Sequence, residues 1–220
     1  MFPAGQLGLI GGTGPLGRGL ALRLAGAGRP VLVGSRDASR AAAIAGELAA
    51  ELAGEPRLTG ATNREVAERA ELVLVTLPYP ATRETVLPLV PQLAGKVVVS
   101  TAVPLQFRGG VPFPAPVPAG SAALELASCC PDSRVVGAFH TVSAPSLARL
   151  QTPLDEDTLI TGDDPAAKAA VVELVLLVPG LRPVDAGGLV SSGLTESLTA
   201  LLLRLNRIHH AHSGVRLTGL

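Results

Sequence analysis

The run Gly12-Thr13-Gly14-Pro15-Leu16-Gly17 has the GxGxxG spacing that lets a backbone approach a pyrophosphate. In this pattern the first glycine permits a tight turn, the second admits the phosphates, and the third allows close helix–strand packing. Backbone N–H groups at the helix start then face the anion. Pro15 suits the first helical turn, where its missing N–H does little harm. Further along, a strand ends in Gly34-Ser35-Arg36, and Arg40 lies one helical turn beyond. An acidic residue at such a strand end suits a ribose 2′-hydroxyl, whereas a serine and two arginines suit a 2′-phosphate. The expected ligand is therefore NADP rather than NAD, although Asp37 also stands within reach of a ribose.

Those residues need elements to hold them. Short apolar runs at Gln6–Gly11, Pro30–Gly34, Arg57–Gly60, Glu71–Thr76 and Lys96–Ser100 suggest strands. Helical patterns lie between them: Leu16–Ala27, an Ala-rich stretch from Asp37 to about Ala53, and Asn63–Arg69, then a stretch interrupted by Pro88 and Pro91. Strands alternating with helices imply a parallel sheet with right-handed crossovers. Val103–Gly120 holds five prolines and is expected to form neither regular helix nor central strand; such a loop is often functional, as a lid. Beyond it, helices are expected at Ser121–Ser128, Pro165–Leu177 and Leu189–His212, and strands at Arg134–Phe139, Thr158–Thr161 and Leu181–Val184. The expected fold is α/β, a Rossmann-type doubly wound parallel sheet with a small C-terminal α/β extension. Residues 1–120 would form the dinucleotide-binding core and 121–220 the extension.

Composition narrows the function. The formal net charge is +0 and there are four Phe and one Tyr, which disfavours nucleic-acid binding through charge or base stacking. No apolar run reaches the roughly 18–20 residues of a membrane span. The leading MFPAGQ carries no basic stretch before an apolar run, so no signal peptide is expected and the expected location is cytoplasmic. Cys129 and Cys130 are adjacent and suggest inert thiols, since a vicinal disulfide is strained. His209, His210 and His212 cluster without a carboxylate or cysteine, so a solvated helix end is expected and no metal site. A short-chain dehydrogenase needs a Tyr-x-x-x-Lys pair; here Tyr79 is followed by Arg83. A hydroxyacid-type dehydrogenase commonly draws a catalytic lysine from a large second domain, and only Lys168 is present there.

The stretches GGTGPLGRGLALRLA, VGSRD, AFHT and GLRPVDAGGLVSSGLTESLTALLL resemble the NADPH:coenzyme F-420 oxidoreductases, from about Leu7 to the C-terminus. The resemblance implies direct hydride transfer between NADP(H) and the deazaflavin coenzyme F-420 in one cleft. By position it assigns Thr13, Ser35, Arg36 and Arg40 to the NADP phosphates. It assigns His140, Ser197 and Thr199 to the neighbourhood of deazaflavin and nicotinamide, with His140 orienting. Thr76-Leu77-Pro78 would pass beside the cofactor, and Ala102-Val103-Pro104 would form part of the floor. Gly193 stands where the family has an arginine. The partners implied are small-molecule coenzymes. The apolar face of the last helix, with Leu189, Leu194, Leu198, Leu201, Leu202 and Leu205, suggests a homodimer. Two rival readings remain: an NADPH-dependent flavin or ferric-complex reductase, and a non-catalytic NADP-sensing protein.

Overall fold

A computed structural model describes residues 5–220. The expectation for the leading MFPAGQ segment falls mostly on residues 1–4, outside the described residues. Five short strands alternate with helices at the start: β1 (Leu7–Ile10), α1 (Pro15–Gly26), β2 (Val31–Ser35), α2 (Ala38–Ala50), β3 (Leu58–Thr62), α3 (Asn63–Arg69) and β4 (Leu72–Val75), followed by α4 (Tyr79–Val86), a 3-10 turn at Leu87–Leu89, α5 (Val90–Leu93) and β5 (Val97–Ser100). Of these strands β1, β2, β4 and β5 are buried throughout; β3, at the sheet edge, is only partly so. Continuous burial fits central strands covered by helices on both faces. Pro88 and Pro91 break the helical stretch as expected. Asp37 accepts from the N–H groups of Ser39 and Arg40 and so caps α2. The Thr62–Glu65 capping box starts α3.

The chain continues with β6 (Leu105–Arg108), β7 (Val111–Pro114), α6 (Ala122–Cys129), β8 (Arg134–Gly137), α7 (Ala144–Ala148), β9 (Glu156–Gly162), α8 (Pro165–Leu176), β10 (Leu181–Asp185), a 3-10 turn at Leu189–Ser191 and α9 (Ser192–His209). One eight-stranded sheet runs β10-β9-β8-β5-β4-β1-β2-β3. Its order from β3 to β8 is that of a Rossmann sheet, with the switch point between β1 and β4. All neighbours are parallel except β8 and β9. The doubly wound fold is as expected, and the C-terminal extension joins the same sheet through β8.

Two features depart from expectation. Val103–Gly120 forms a two-stranded hairpin, β6–β7, separate from the main sheet. Its turn is Gly109-Gly110, with φ of 57° and 76°, the two positive values that a tight type I′ turn demands. Pro112 and Pro114 are tolerated because the hairpin has no inner strand to miss their N–H groups. Its outer support is α9: Arg204 donates through Nε to the Pro112 carbonyl at 2.9 Å and stacks on the Phe113 ring. The second departure is α7, which has no strong sequence pattern. It is held by Arg23 on α1, whose buried guanidinium donates to the carbonyls of Leu147, Leu150, Ser146, Arg149 and Thr152. One planar fork thus satisfies the carbonyls at and beyond the helix end.

Candidate functional site

The carboxyl ends of the parallel strands open onto one cleft of about 940 Å³. Each strand end delivers lining residues: Gly11 after β1, Ser35 and Arg36 at β2, Thr62 at β3, Thr76 after β4, Thr101 to Val103 after β5, and Phe139 and His140 after β8. This is where ligands of open α/β sheets bind.

At one end lies the glycine turn. The left-handed residue of the turn is Gly11, at φ 73°, rather than Gly12, to which the fingerprint assigned the turn. Gly12 is glycine for another reason: a Cβ there would lie 2.8 Å from the Leu9 Cβ and 3.0 Å from its carbonyl oxygen. Gly17 packs against Gly12, its would-be Cβ being 2.6 Å from the Gly12 Cα. At Gly14, by contrast, a Cβ would meet nothing closer than 3.6 Å, and the residue faces the cleft. No side chain caps α1, so its first turn leaves N–H groups for an anion. Thr13, Pro15 and Leu16 line the same end.

Beyond β2, the exposed Arg36 and Arg40 flank the cleft, and neither forms an ion pair among the described residues. The Ser35 hydroxyl accepts from the Asp37 N–H at 3.2 Å. Asp37 spends one carboxylate oxygen on the helix cap, which limits its reach toward a ribose. An open glycine cradle, an uncapped helix start and two free guanidiniums fit a dinucleotide with a 2′-phosphate. Sequence reasoning missed Asn63 and Arg64, which also line this end. Asn63 accepts from the Gly11 N–H at 3.1 Å and tethers the turn. Their position one strand over, where Ser35 pairs with Thr62, was the available signal.

At the other end stands His140, 6% exposed. Burial pushes its imidazole down to about 4, so it is neutral at neutral pH. Its Nδ1 lies 3.3 Å from the Thr195 hydroxyl, and its carbonyl accepts from the Thr199 hydroxyl at 2.7 Å. The preceding Phe139 is buried with φ 62°, a left-handed backbone that turns the chain sharply into the cleft. Thr76, Leu77, Pro78, Ala102 and Val103 line the walls, while Pro104 is buried outside the lining. Ser197 and Thr199 also fall outside it: Ser197 donates to the Gly193 carbonyl at 2.6 Å, and Thr199 braces His140. Gly193 abuts the turn before α6, where a Cβ would lie 2.8 Å from the Gly120 carbonyl oxygen. Tyr79 lines the wall and donates to Glu125 at 2.8 Å; burial, with that carboxylate, pushes it up to about 12. It therefore stays protonated at neutral pH.

Strand order, glycine turn and arginine-flanked cleft define a Rossmann-type dinucleotide-binding protein. Residues 6–104 match the family described as "NADP oxidoreductase coenzyme F420-dependent". The chain is 36% identical over 98% of its length, and 99% of the relative's, to a protein of Methanocaldococcus jannaschii named F420-dependent NADP reductase. It is 38% identical, with the same coverage, to one of that name from Methanothermobacter marburgensis. A crystal structure of a putative F420-dependent NADP-reductase from Arthrobacter sp. FB24 superimposes with a TM-score of 0.83 at 26% identity, covering 97% of this chain and 99% of that one. The chain belongs to the coenzyme F420-dependent NADP oxidoreductase family.

Proposed function

We propose that this protein transfers a hydride directly between NADP(H) and coenzyme F-420. The observation that carries this reading is a single cleft running from Arg36 and Arg40 to a neutral, buried His140. When bound, the nicotinamide supplies the hydride and the deazaflavin ring carbon receives it. The residues' share is position. Gly14 admits the pyrophosphate, Ser35, Arg36 and Arg40 hold the 2′-phosphate, and Thr13 contacts the phosphates. His140 orients the rings, and Thr76, Leu77 and Ala102 exclude water. Residues 1–120 hold NADP in this reading and residues 121–220 complete the deazaflavin side. Thr199 acts through the His140 backbone. Holding two rings about 3–3.5 Å apart is worth a large part of such a barrier.

The proposed assembly is a homodimer through the outer face of α9, where Leu194 is 76% and Leu201 53% exposed. Freely diffusing coenzymes make the cytoplasm the proposed setting. Among the described residues no helix is long and apolar enough to cross a membrane.

Stereospecifically deuterated NADPH tests the reading. Deuterium is expected on the deazaflavin ring carbon, without washing out to solvent. Label in water, or flavin and ferric complexes reduced while the deazaflavin is not, overturns it.

A further inference from the structure

The proposed function leaves open how a neutral imidazole, buried at the end of β8, is made to present one particular nitrogen to the cleft. Ser192, Thr195 and Thr199 lie at i, i+3 and i+7 on α9, so they share the face turned toward His140. The Thr195 hydroxyl has one proton and two lone pairs. That proton is donated to the Ser192 carbonyl at 3.0 Å, the shorter of its two contacts. With that proton so placed, Thr195 offers His140 Nδ1, at 3.3 Å, a lone pair, which favours the ring hydrogen on Nδ1. The other nitrogen, Nε2, is then unprotonated. It is buried and has no hydrogen-bond partner among the described residues, although the residue lines the cleft. A buried polar atom left unpaired is destabilising until it gains a partner.

We infer that Thr195 is a positioning residue that holds His140 as the Nδ1–H tautomer, so that Nε2 accepts a hydrogen bond from an amide- or imide-type N–H of a bound coenzyme. The inference rests on the proposed function only for the identity of that coenzyme. A carboxamide on the nicotinamide and the N–H of the deazaflavin pyrimidine ring share the chemistry.

The ring is braced for this task from the backbone side as well. Thr199 fixes the His140 carbonyl. Gly137 leaves room beneath the imidazole, where a Cβ would come within 3.1 Å of the His140 Cε1 and 2.6 Å of the Thr161 hydroxyl. Thr161 in turn hydrogen-bonds Ser192 at 2.6 Å, tying β9 to the start of α9.

The test is long-range proton–nitrogen NMR on the full chain with nitrogen-15 histidine, the His140 signals being those lost in His140→Gln. The coenzyme-free protein is expected to show a protonated Nδ1 and an unprotonated Nε2. Thr195→Val, which removes the acceptor but keeps the shape, should mix the tautomers and lower kcat/KM about 2- to 10-fold, the worth of one neutral hydrogen bond. Thr195→Ser should restore both. Adding NADPH alone and coenzyme F-420 alone identifies which one moves the Nε2 signal. A wild-type Nε2–H tautomer overturns the inference even if the valine variant does not fold. So does an unchanged spectrum in that variant, or an Nε2 signal unmoved by both coenzymes while hydride transfer proceeds. If the wild type transfers no hydride to the deazaflavin, the proposed function fails, and the coenzyme-free spectra still decide the role of Thr195.

Discussion

Arg36 and Arg40 are exposed side chains that carry no fold-stabilising contact among the described residues, which makes them clean probes of recognition. A charge-assisted hydrogen bond to phosphate is worth roughly 1.5–3 kcal/mol. Arg36→Ala is therefore expected to weaken NADPH binding about 10- to 100-fold while NADH binding changes little, as measured by fluorescence titration. Equal losses for the two cofactors would remove Arg36 from the 2′-phosphate. His140 makes a prediction about stability. Its imidazole titrates near 6.5 in an open chain and, because burial disfavours the cation, near 4 in the fold. Between those values the unfolded chain binds the proton and the folded one does not. The stability this group contributes is therefore full above pH 6.5 and is lost as pH falls toward 4. Glu156 and Glu196, pushed up to about 7 by burial, have the opposite sign as pH rises. Comparing His140→Gln with the wild type isolates the histidine: its urea midpoint should drop less on acidification from pH 6.5 to 4.5. An equal drop in both proteins would show that His140 is not buried as a neutral group.

Within the β1–turn–α1 unit, two glycines of one motif do different work. Gly14→Val should give a folded protein with severely reduced NADP affinity, since the nearest atom to its Cβ is 3.6 Å away and the side chain enters the cleft. Gly17→Ala should instead lower the melting temperature, because its Cβ would lie 2.6 Å from backbone at Gly12, which cannot yield without moving the turn off β1. Thermal melts and NADPH titration on both variants separate the two roles; a Gly14→Val protein that binds normally contradicts the cradle. Elements further along are set by distant partners. The guanidinium of Arg23 holds α7, and the carboxylate of Glu196 on α9 accepts from the Ala122 and Ala123 N–H groups at the start of α6. Through that pair, α9 and α6 are fixed together next to His140.

For the whole molecule, the question is what covers α9. Leu194, Leu201 and Ile208 on α9 are 76%, 53% and 67% exposed, and Val190 in the preceding 3-10 turn 77%, more apolar surface than a segment facing only solvent needs. A second copy related by a two-fold axis would bury the same residues on both sides. Leu201→Glu should then convert the protein from dimer to monomer in analytical ultracentrifugation, with the fold intact by circular dichroism. A wild-type monomer at micromolar concentration would refute the assembly.

Local pattern carried much of this protein. Apolar runs of four or five residues placed the central strands, since a buried parallel strand must be apolar on both faces. GxGxxG after β1, and Ser35 with Arg36 at the end of β2, announced the dinucleotide end, because backbone access and phosphate charge are properties of adjacent residues. Pro88 and Pro91 marked a helix break for the same reason. Contacts between distant segments lay outside that reach. Nothing near Arg23 in sequence signals five carbonyls more than 120 residues away, and nothing near Asn63 signals the Gly11 N–H. The hairpin at 105–114 was obscured by prolines, whose cost depends on whether a neighbouring strand needs their N–H groups. Ser197 and Thr199 were legible as polar residues on an apolar helix, but only the placement of α9 beside the segment that follows β8 decided that one bonds its own turn and the other braces His140. Sequence fixes which groups a chain can offer; their partners depend on which surfaces the folded sheet brings within hydrogen-bonding distance.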